Sequence, residues 1–247
     1  MSAVVQPELT GHVELPWHRG PLASWDTETT GTDVETDRIV SAALIHPDGN
    51  VTRWLSDADG VEIPEAATAV HGISTEQARA HGHPAKQVIE QITDALALDM
   101  ASGFTALVVM NAPFDLSLLD AECARHGVRP LGDRIGDVAP IIDPLILDRT
   151  VDRYRKGRRN LEALAVEYGV ALTAAHSADA DAQAALDVAR AIAERYEELQ
   201  VPAWKVHGWQ IEWYERWAAN FQGFLRRSGK PDIVIDGSWP LRPIGGA

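Results

Sequence analysis

Cysteine is nearly absent from this chain of 247 residues: Cys123 stands alone, which excludes a disulfide framework and a cysteine-based zinc site. No run approaches the ~18 apolar residues that a membrane-spanning helix needs. The N-terminus, MSAVVQPELTGHVELP, lacks the basic start and apolar stretch of a secretory signal. A cytoplasmic protein with no membrane partner is the expectation. Positive charge is scarce as well, with 22 Lys+Arg against 36 Asp+Glu and a net charge of −14, so a uniformly basic coat for polyanions is excluded. Neither an internal repeat nor a low-complexity tract is present. With 45% hydrophobic residues the chain can bury a real core, which rules out disorder as its main description.

The charge that is there is uneven. Residues 1–200 carry a net of −16, whereas 201–247 carry 6 Lys+Arg and 4 Asp+Glu, a net of +2. That last segment also holds Trp204, Trp209, Trp213, Trp217 and Trp239, five of the eight tryptophans. A boundary near Val201-Pro202 divides a main domain, 1–200 with its motif core at about 22–198, from a C-terminal helical extension, 201–247, because proline ends the preceding helical pattern.

Leu22 to Asp26, Arg38 to His46 and Val51 to Leu55 have strand character, with turn chemistry at Pro47-Asp48-Gly49-Asn50, and predict an antiparallel meander. Short helices are expected at Pro64 to Val70 and Ser74 to Ala80, and a longer one from Pro84 to about Leu98. Ala106 to Met110 is an uninterrupted apolar run, the mark of a doubly buried strand, followed by a helix from Pro113 to His126 that closes at Gly127. Ile141-Ile142 is a fifth short strand; Asn160 to Tyr168 and the alanine-rich Asp181 to Leu199 are further helices. The order β-β-β-α-β-α-β-α-α predicts an α/β fold, a mixed five-stranded sheet flanked by helices.

The chemistry is concentrated in acids placed at element ends. Asp26 and Glu28, two apart at the end of a strand, share one face. Adjacent anions raise each other's pKa unless a cation lies between them, and hard oxygen donors of this kind suit Mg²⁺ or Mn²⁺ rather than zinc. Alone, such a pair equally serves as a turn cap. Asp115 follows Asn111-Ala-Pro-Phe114 in the first turn of a helix, where a carboxylate also favours the macrodipole without further role. His176 precedes Asp179 and Asp181 at the start of the alanine-rich helix.

Together these elements resemble one family, the DEDDh or DnaQ-like 3′-to-5′ exonucleases of ribonuclease H-like fold. The resemblance runs from about Ala23 to Tyr196. Its D-x-E-T-T-G motif is Asp26 to Gly31, its N-A-x-F-D motif is Asn111 to Asp115, and its H-x4-D motif is His176 to Asp181, with a V-H-G-I segment at Val70 to Ile73. The spacing favours Asp181 over Asp179 as the third-motif acid and leaves Asp179 as a helix N-cap.

The resemblance implies a fold and a mechanism. Two divalent ions, Mg²⁺ or Mn²⁺, would be held by Asp26, Glu28, Asp115 and Asp181, with Asp26 bridging both, and His176 would be the general base. The rate would be metal-dependent and fall on the acid side as His176 protonates. Thr27 and Thr29 would meet the terminal 3′-hydroxyl, and Val70, His71, Asn111 and Phe114 would contact the last nucleotide. Core packing is the competing role for Val70 and Phe114, and structural hydrogen bonding for His71. The expected activity is hydrolysis of single-stranded nucleic acid from its 3′ end, DNA favoured over RNA, releasing nucleoside 5′-monophosphates. The alternatives are a proofreading subunit partnered by a DNA polymerase and a non-catalytic adaptor that keeps the fold.

Two features lie outside these motifs. Arg149, Arg153, Arg155, Lys156, Arg158 and Arg159 form a basic run, either a track for phosphates or a solvated loop. In the tail, Trp209, Trp213 and Trp217 continued by Phe221, Phe224 and Leu225 predict an aromatic helix face. That face is expected to pack on the main domain, to form a homodimer interface or, less favoured, to stack on bases.

Overall fold

The computed structural model describes residues 15–172 and 176–243; the polar leader through residue 14 and the last four residues lie outside the described residues. The first strand, β1 (Leu22–Thr29), is followed by β2 (Ile39–Ile45) and β3 (Val51–Leu55), rich in branched and apolar residues. Helices α1 (Glu65–His71), α2 (Thr75–His81) and α3 (Ala85–Met100) lead to β4 (Ala106–Val108), α4 (Ala112–His126), α5 (Leu131–Ile135) and β5 (Ile141–Ile142). The chain ends with α6 (Pro144–Val151), α7 (Leu161–Tyr168), α8 (Ala178–Arg195) and α9 (Ala203–Arg227).

The sheet order is β3-β2-β1-β4-β5. β3, β2 and β1 form the expected antiparallel meander, while β4 and β5 run parallel to β1. β1 is thus the central strand where the sheet changes direction. Its pairing with β4 ends at Ser24 and Val108, so beyond Trp25 one edge of β1 is released and a crevice opens at the carboxyl ends of the parallel strands, the usual binding position in open α/β sheets.

One face of the sheet, with Ala23, Trp25 and Leu107, packs on α3 and α4 through Val88, Ile92, Leu96, Leu116 and Leu119. The other packs on α8, whose Ala182, Ala185, Ala189 and Ala193 all lie in the core. Alanines at i, i+3, i+7 and i+11 keep this helix close to the strands, and Ser24 Oγ donates to the Ala182 carbonyl at 2.7 Å, pinning its first turns against β1.

Several sequence expectations are corrected. β4 stops at Val108 rather than Met110, because the chain turns into the αL residue Asn111 ahead of α4. α8 starts at Ala178 with Ser177 as N-cap, so Asp179 is a first-turn residue and not the cap. It ends at Arg195, with a 3-10 turn over Glu197–Leu199. α5, of 5 residues, and α6, of 8, were not expected.

In the tail, the buried face of α9 is Val206, His207, Gln210, Tyr214, Ala218 and Leu225 rather than the tryptophan stripe. Trp213 and Trp217 are half-buried beside it, and Phe221 and Phe224 are exposed. The polar members of that face explain the shift. β5 is an edge strand whose free groups face α9: Gln210 Oε1 accepts from the Asp143 N–H at 2.7 Å, its Nε2 donates to the Ile141 carbonyl at 2.8 Å, and His207 Nδ1 accepts from the Ile141 N–H at 3.0 Å. Side chains complete the ladder that a sixth strand would otherwise supply, which closes an edge that would invite aggregation.

Gln210→Ala should therefore strand a buried N–H and a buried carbonyl and lower stability by about 2–4 kcal/mol, measured as a fall in the denaturant midpoint; a loss within about 0.5 kcal/mol would mean that α9 is held by apolar contact alone.

Candidate active site

β1 carries the first two acids. Residues 24, 26 and 28 share the face toward α8, and Asp26 and Glu28 lie beyond the last β4 pairing, where the crevice has opened. The motif's end has a local reason. A Cβ on Gly31 would sit 2.5 Å from Asp37 Oδ2, and that carboxylate takes hydrogen bonds from Thr30 Oγ and the Asp33 N–H, folding the loop after β1 back on itself.

The third acid comes from α8. One carboxylate oxygen each from Asp26, Glu28 and Asp181 lies within 4.8 Å of the others. Asp181 Oδ2 accepts the His176 backbone N–H at 3.2 Å, fixing the loop before the helix. Asp179 points elsewhere: its Oδ2 accepts from Arg53 Nη2 at 2.6 Å and from Nε at 3.0 Å, and this guanidinium lowers its pKa.

Asp115 lies outside that triplet of ligand atoms but within its field. Buried in the first turn of α4, it accepts from Thr27 Oγ at 2.6 Å across the splayed strands. The start of α4 is held by Asp143, a fully buried acid that the motifs did not mark. Its two oxygens accept the N–H groups of Asn111 and Ala112 at 3.0 Å each, and Oδ1 also takes the Leu145 N–H at 2.9 Å. Asn111 acts through its αL backbone, φ 60°, which swings α4 into line.

The remaining expected residues separate into two groups. Glu28, His71 and His176, with Arg53 and Asp179, line a cleft of about 470 Å³. His71 is half-buried, and its Nδ1 accepts the Ile73 N–H at 3.1 Å, so it has a structural bond whatever else it does. Val70, Asn111 and Phe114 do not line this cleft. Val70 is 54% exposed, which removes core packing as its role, whereas Phe114 packs against the core beneath β1. Thr29 Oγ donates to the Gly31 carbonyl at 2.6 Å. His176, with φ 69°, has its Nε2 3.3 Å from Glu162 Oε1 on α7, a neighbour that the sequence pattern did not suggest.

A family model described as Exonuclease (RNase_T) matches residues 24–189, about two thirds of the chain. The chain belongs to this exonuclease family. Among relatives, it is 26% identical over 181 residues to the DNA polymerase III subunit epsilon of Treponema pallidum, covering 68% of this chain and 74% of that protein. It is 27% identical over 165 residues to the PolC-type DNA polymerase III of Lacticaseibacillus paracasei, covering 65% of this chain but 10% of that protein. In structure it is similar to E. coli exonuclease I in complex with a dA16 oligonucleotide, with a TM-score of 0.63 at 22% identity, over 72% of this chain and 42% of the other. The chain therefore spans a small part of the PolC-type relative and under half of exonuclease I. The mixed five-stranded sheet with its flanking helices is the ribonuclease H-like fold of that structure.

The electrostatics of this exonuclease domain's crevice are those of an anion cluster with no Lys or Arg counterion among the described residues. Among the described residues no Lys or Arg nitrogen lies within 4.0 Å of a carboxylate oxygen of Asp26, Glu28, Asp115 or Asp181. Burial pushes Asp26 well above the ordinary carboxylate range, and the charges of Asp115, Asp181 and Glu28 push the same way. Glu28 rises to about 7, by burial first and then by Asp181 and Asp115. Asp115 also rises to about 7 through burial, against the opposing Thr27 hydrogen bond. Burial raises Asp181, partly offset by the His176 N–H. Three acids that converge from two chain segments onto one gap are a donor set of the type that hard divalent ions occupy, so the residues fit Mg²⁺ or Mn²⁺.

The sign of the resulting pH effect is fixed. Between about 4.5 and about 7 an unfolded Glu28 has lost the proton that the folded one keeps, so the metal-free fold loses stability as pH rises through that window. Divalent metal competes with those protons. Mg²⁺ or Mn²⁺ should accordingly raise the thermal midpoint more at pH about 8 than at pH about 5; equal shifts at both would show that the metal sits elsewhere.

Proposed function

We propose that the protein is a metal-dependent exonuclease that hydrolyses single-stranded nucleic acid, DNA in preference to RNA, from its 3′ end and releases nucleoside 5′-monophosphates. The observation that carries this is the convergence of Asp26, Glu28 and Asp181 on one gap, with Asp115 coupled to them through space. The family match and the oligonucleotide bound by the similar exonuclease I support it.

In this reading Asp26, Glu28 and Asp181 hold two divalent ions together with Asp115, whose carboxylate Thr27 orients. When bound, such a pair neutralises the phosphoryl oxygens and eases deprotonation of the attacking water. His176 takes that water's proton at an imidazole nitrogen, leaving Glu162 and turning into the cleft that it lines with Glu28. As the water oxygen bonds to phosphorus, the bond to the 3′-oxygen of the preceding nucleotide breaks. His71 and Val70, at the end of α1, border the terminal nucleotide, and the Thr29 backbone meets its 3′-hydroxyl. A polymerase-associated proofreading role is the second reading, supported by the names of the relatives, which are DNA polymerase III proteins.

An end-labelled oligonucleotide incubated with Mg²⁺ or Mn²⁺ should shorten from its 3′ end, and chelator should stop it. Asp181→Ala should abolish shortening, His176→Ala should slow it about 10²–10⁴-fold, and Asp179→Ala should change it little because that acid serves Arg53. Matched DNA and RNA strands compared side by side test the sugar preference. No shortening in any metal would leave the adaptor reading in place.

A further inference from the structure

A further concavity lies between α6 and α9, has a volume of about 470 Å³, and is unlike its surroundings in charge. Arg149, Arg153, Arg159 and Arg216 line it together with the rings of Trp213 and Trp217, and no carboxylate is among its lining residues. Arg159 is held by the buried Asp148. The other three arginines have no carboxylate within 4.0 Å among the described residues. Arg149 instead lies 4.1 Å over the Trp217 ring. Unneutralised guanidiniums gathered beside indole faces on a protein of net charge −14 form a local attractor for a ligand that is both anionic and aromatic. The volume is within the ~300–1,000 Å³ of ligand-sized sites.

The position of this groove narrows the choice of ligand. α9 runs along β5 in the strand's own direction, with His207 at Ile141 and Gln210 at Asp143. Residues 213–220 therefore project past the carboxyl end of β5. The acid cluster lies past the carboxyl end of β1, which is parallel to β4 and β5. Groove and cluster share one rim of the sheet, joined by Asp143, which begins α6 and holds the start of α4.

We propose that the groove between α6 and α9 is an anchoring site for single-stranded nucleic acid, gripping nucleotides other than the one being removed through base contact with Trp213 and Trp217 and phosphate contact with Arg149, Arg153 and Arg216. Stacking on aromatic faces tolerates every base, and arginines follow the backbone, which is the chemistry of sequence-indifferent strand binding. The assignment rests on the exonuclease reading for its substrate class, but its test does not depend on turnover.

Binding of a long oligothymidylate is followed by tryptophan fluorescence in chelator, for the parent chain and for Arg153→Ala/Arg216→Ala. Both side chains are exposed and neither belongs to the acid cluster. The double variant should bind about ten-fold more weakly or worse, and its dependence of log Kd on log salt should flatten by about 1.4, near 0.7 for each lost phosphate contact. Arg153→Lys/Arg216→Lys, which keeps the charge, should retain most of the slope. In metal, the alanine pair should raise KM for the long strand and leave hydrolysis of a dinucleotide unchanged. Unaltered affinity and salt slope would overturn the proposal even if shortening proceeds normally, whereas intact groove binding without shortening would remove only the exonuclease reading. An Asp/Glu-rich peptide that displaces the oligothymidylate and binds more tightly would assign the groove to a protein partner and overturn it as well.

Discussion

Carboxylates crowded into one gap with no Lys or Arg paired to them among the described residues are the constraint around which this domain is arranged. With oxygens of Asp26, Glu28 and Asp181 within 4.8 Å of one another, each ionised pair repels by about 3–4 kcal/mol at an effective dielectric of 20. A flexible site would relax by turning the acids toward water. Here they are prevented from doing so by the elements that carry them. The acid-bearing end of β1 is held by its pairing with β2, the first turns of α8 are pinned by Ser24 to the Ala182 carbonyl, and the first turn of α4 is clamped by Asp143. The fold keeps the anions together, and the repulsion is relieved by protons, in whose place the donor set offers a position that suits a hard divalent ion.

That arrangement makes the supporting residues as informative as the acids. Asp143 is fully buried beside the site, yet its oxygens are occupied by three backbone N–H groups, and its own N–H is occupied by Gln210. It acts on Asp115 by fixing the backbone that carries it. Arg53 removes Asp179 from the cluster in the opposite way, by giving it a private counterion. Two acids, two residues apart on α8, thus take different roles because one faces β3 and the other faces the end of β1.

Much of the site was legible in the sequence because its parts are local. Strand alternation places Asp26 and Glu28 on one face whatever surrounds them, and a proline-bearing helix start after a buried strand places Asp115 in a first turn. Asp143, Gln210 and His207 were not legible, since a polar residue that satisfies a distant backbone group looks like any surface residue until its partner is known. The same blindness shifted the buried face of α9: apolar spacing marked the tryptophans, while the helix in fact buries Gln210 and His207 against the β5 edge. The basic run was only partly legible for a related reason. Arg155 and Arg159 are drawn inward onto Asp148, which Tyr168 also contacts, so part of the apparent surface charge is internal structure. The cation that joins Arg149 and Arg153 is Arg216, more than 60 residues away in the chain.

Edge protection and ligand capture are consequently one design problem in this molecule. β5 is two residues long and cannot hold the sheet edge by its own ladder. Covering it requires a helix whose polar side chains imitate a strand, and a helix of 25 residues overruns so short a strand by several turns. The overrun leaves Trp213 and Trp217 only partly covered and sets them against α6, which Asp143 caps. Arg149 on α6 therefore lies over the Trp217 ring in a recess, and Arg153, in the turn that follows α6, lines the same recess. The groove thus arises from the same contacts that close the edge, and its distance from the acids is set by the width of the β1-β4-β5 strip rather than by a flexible linker.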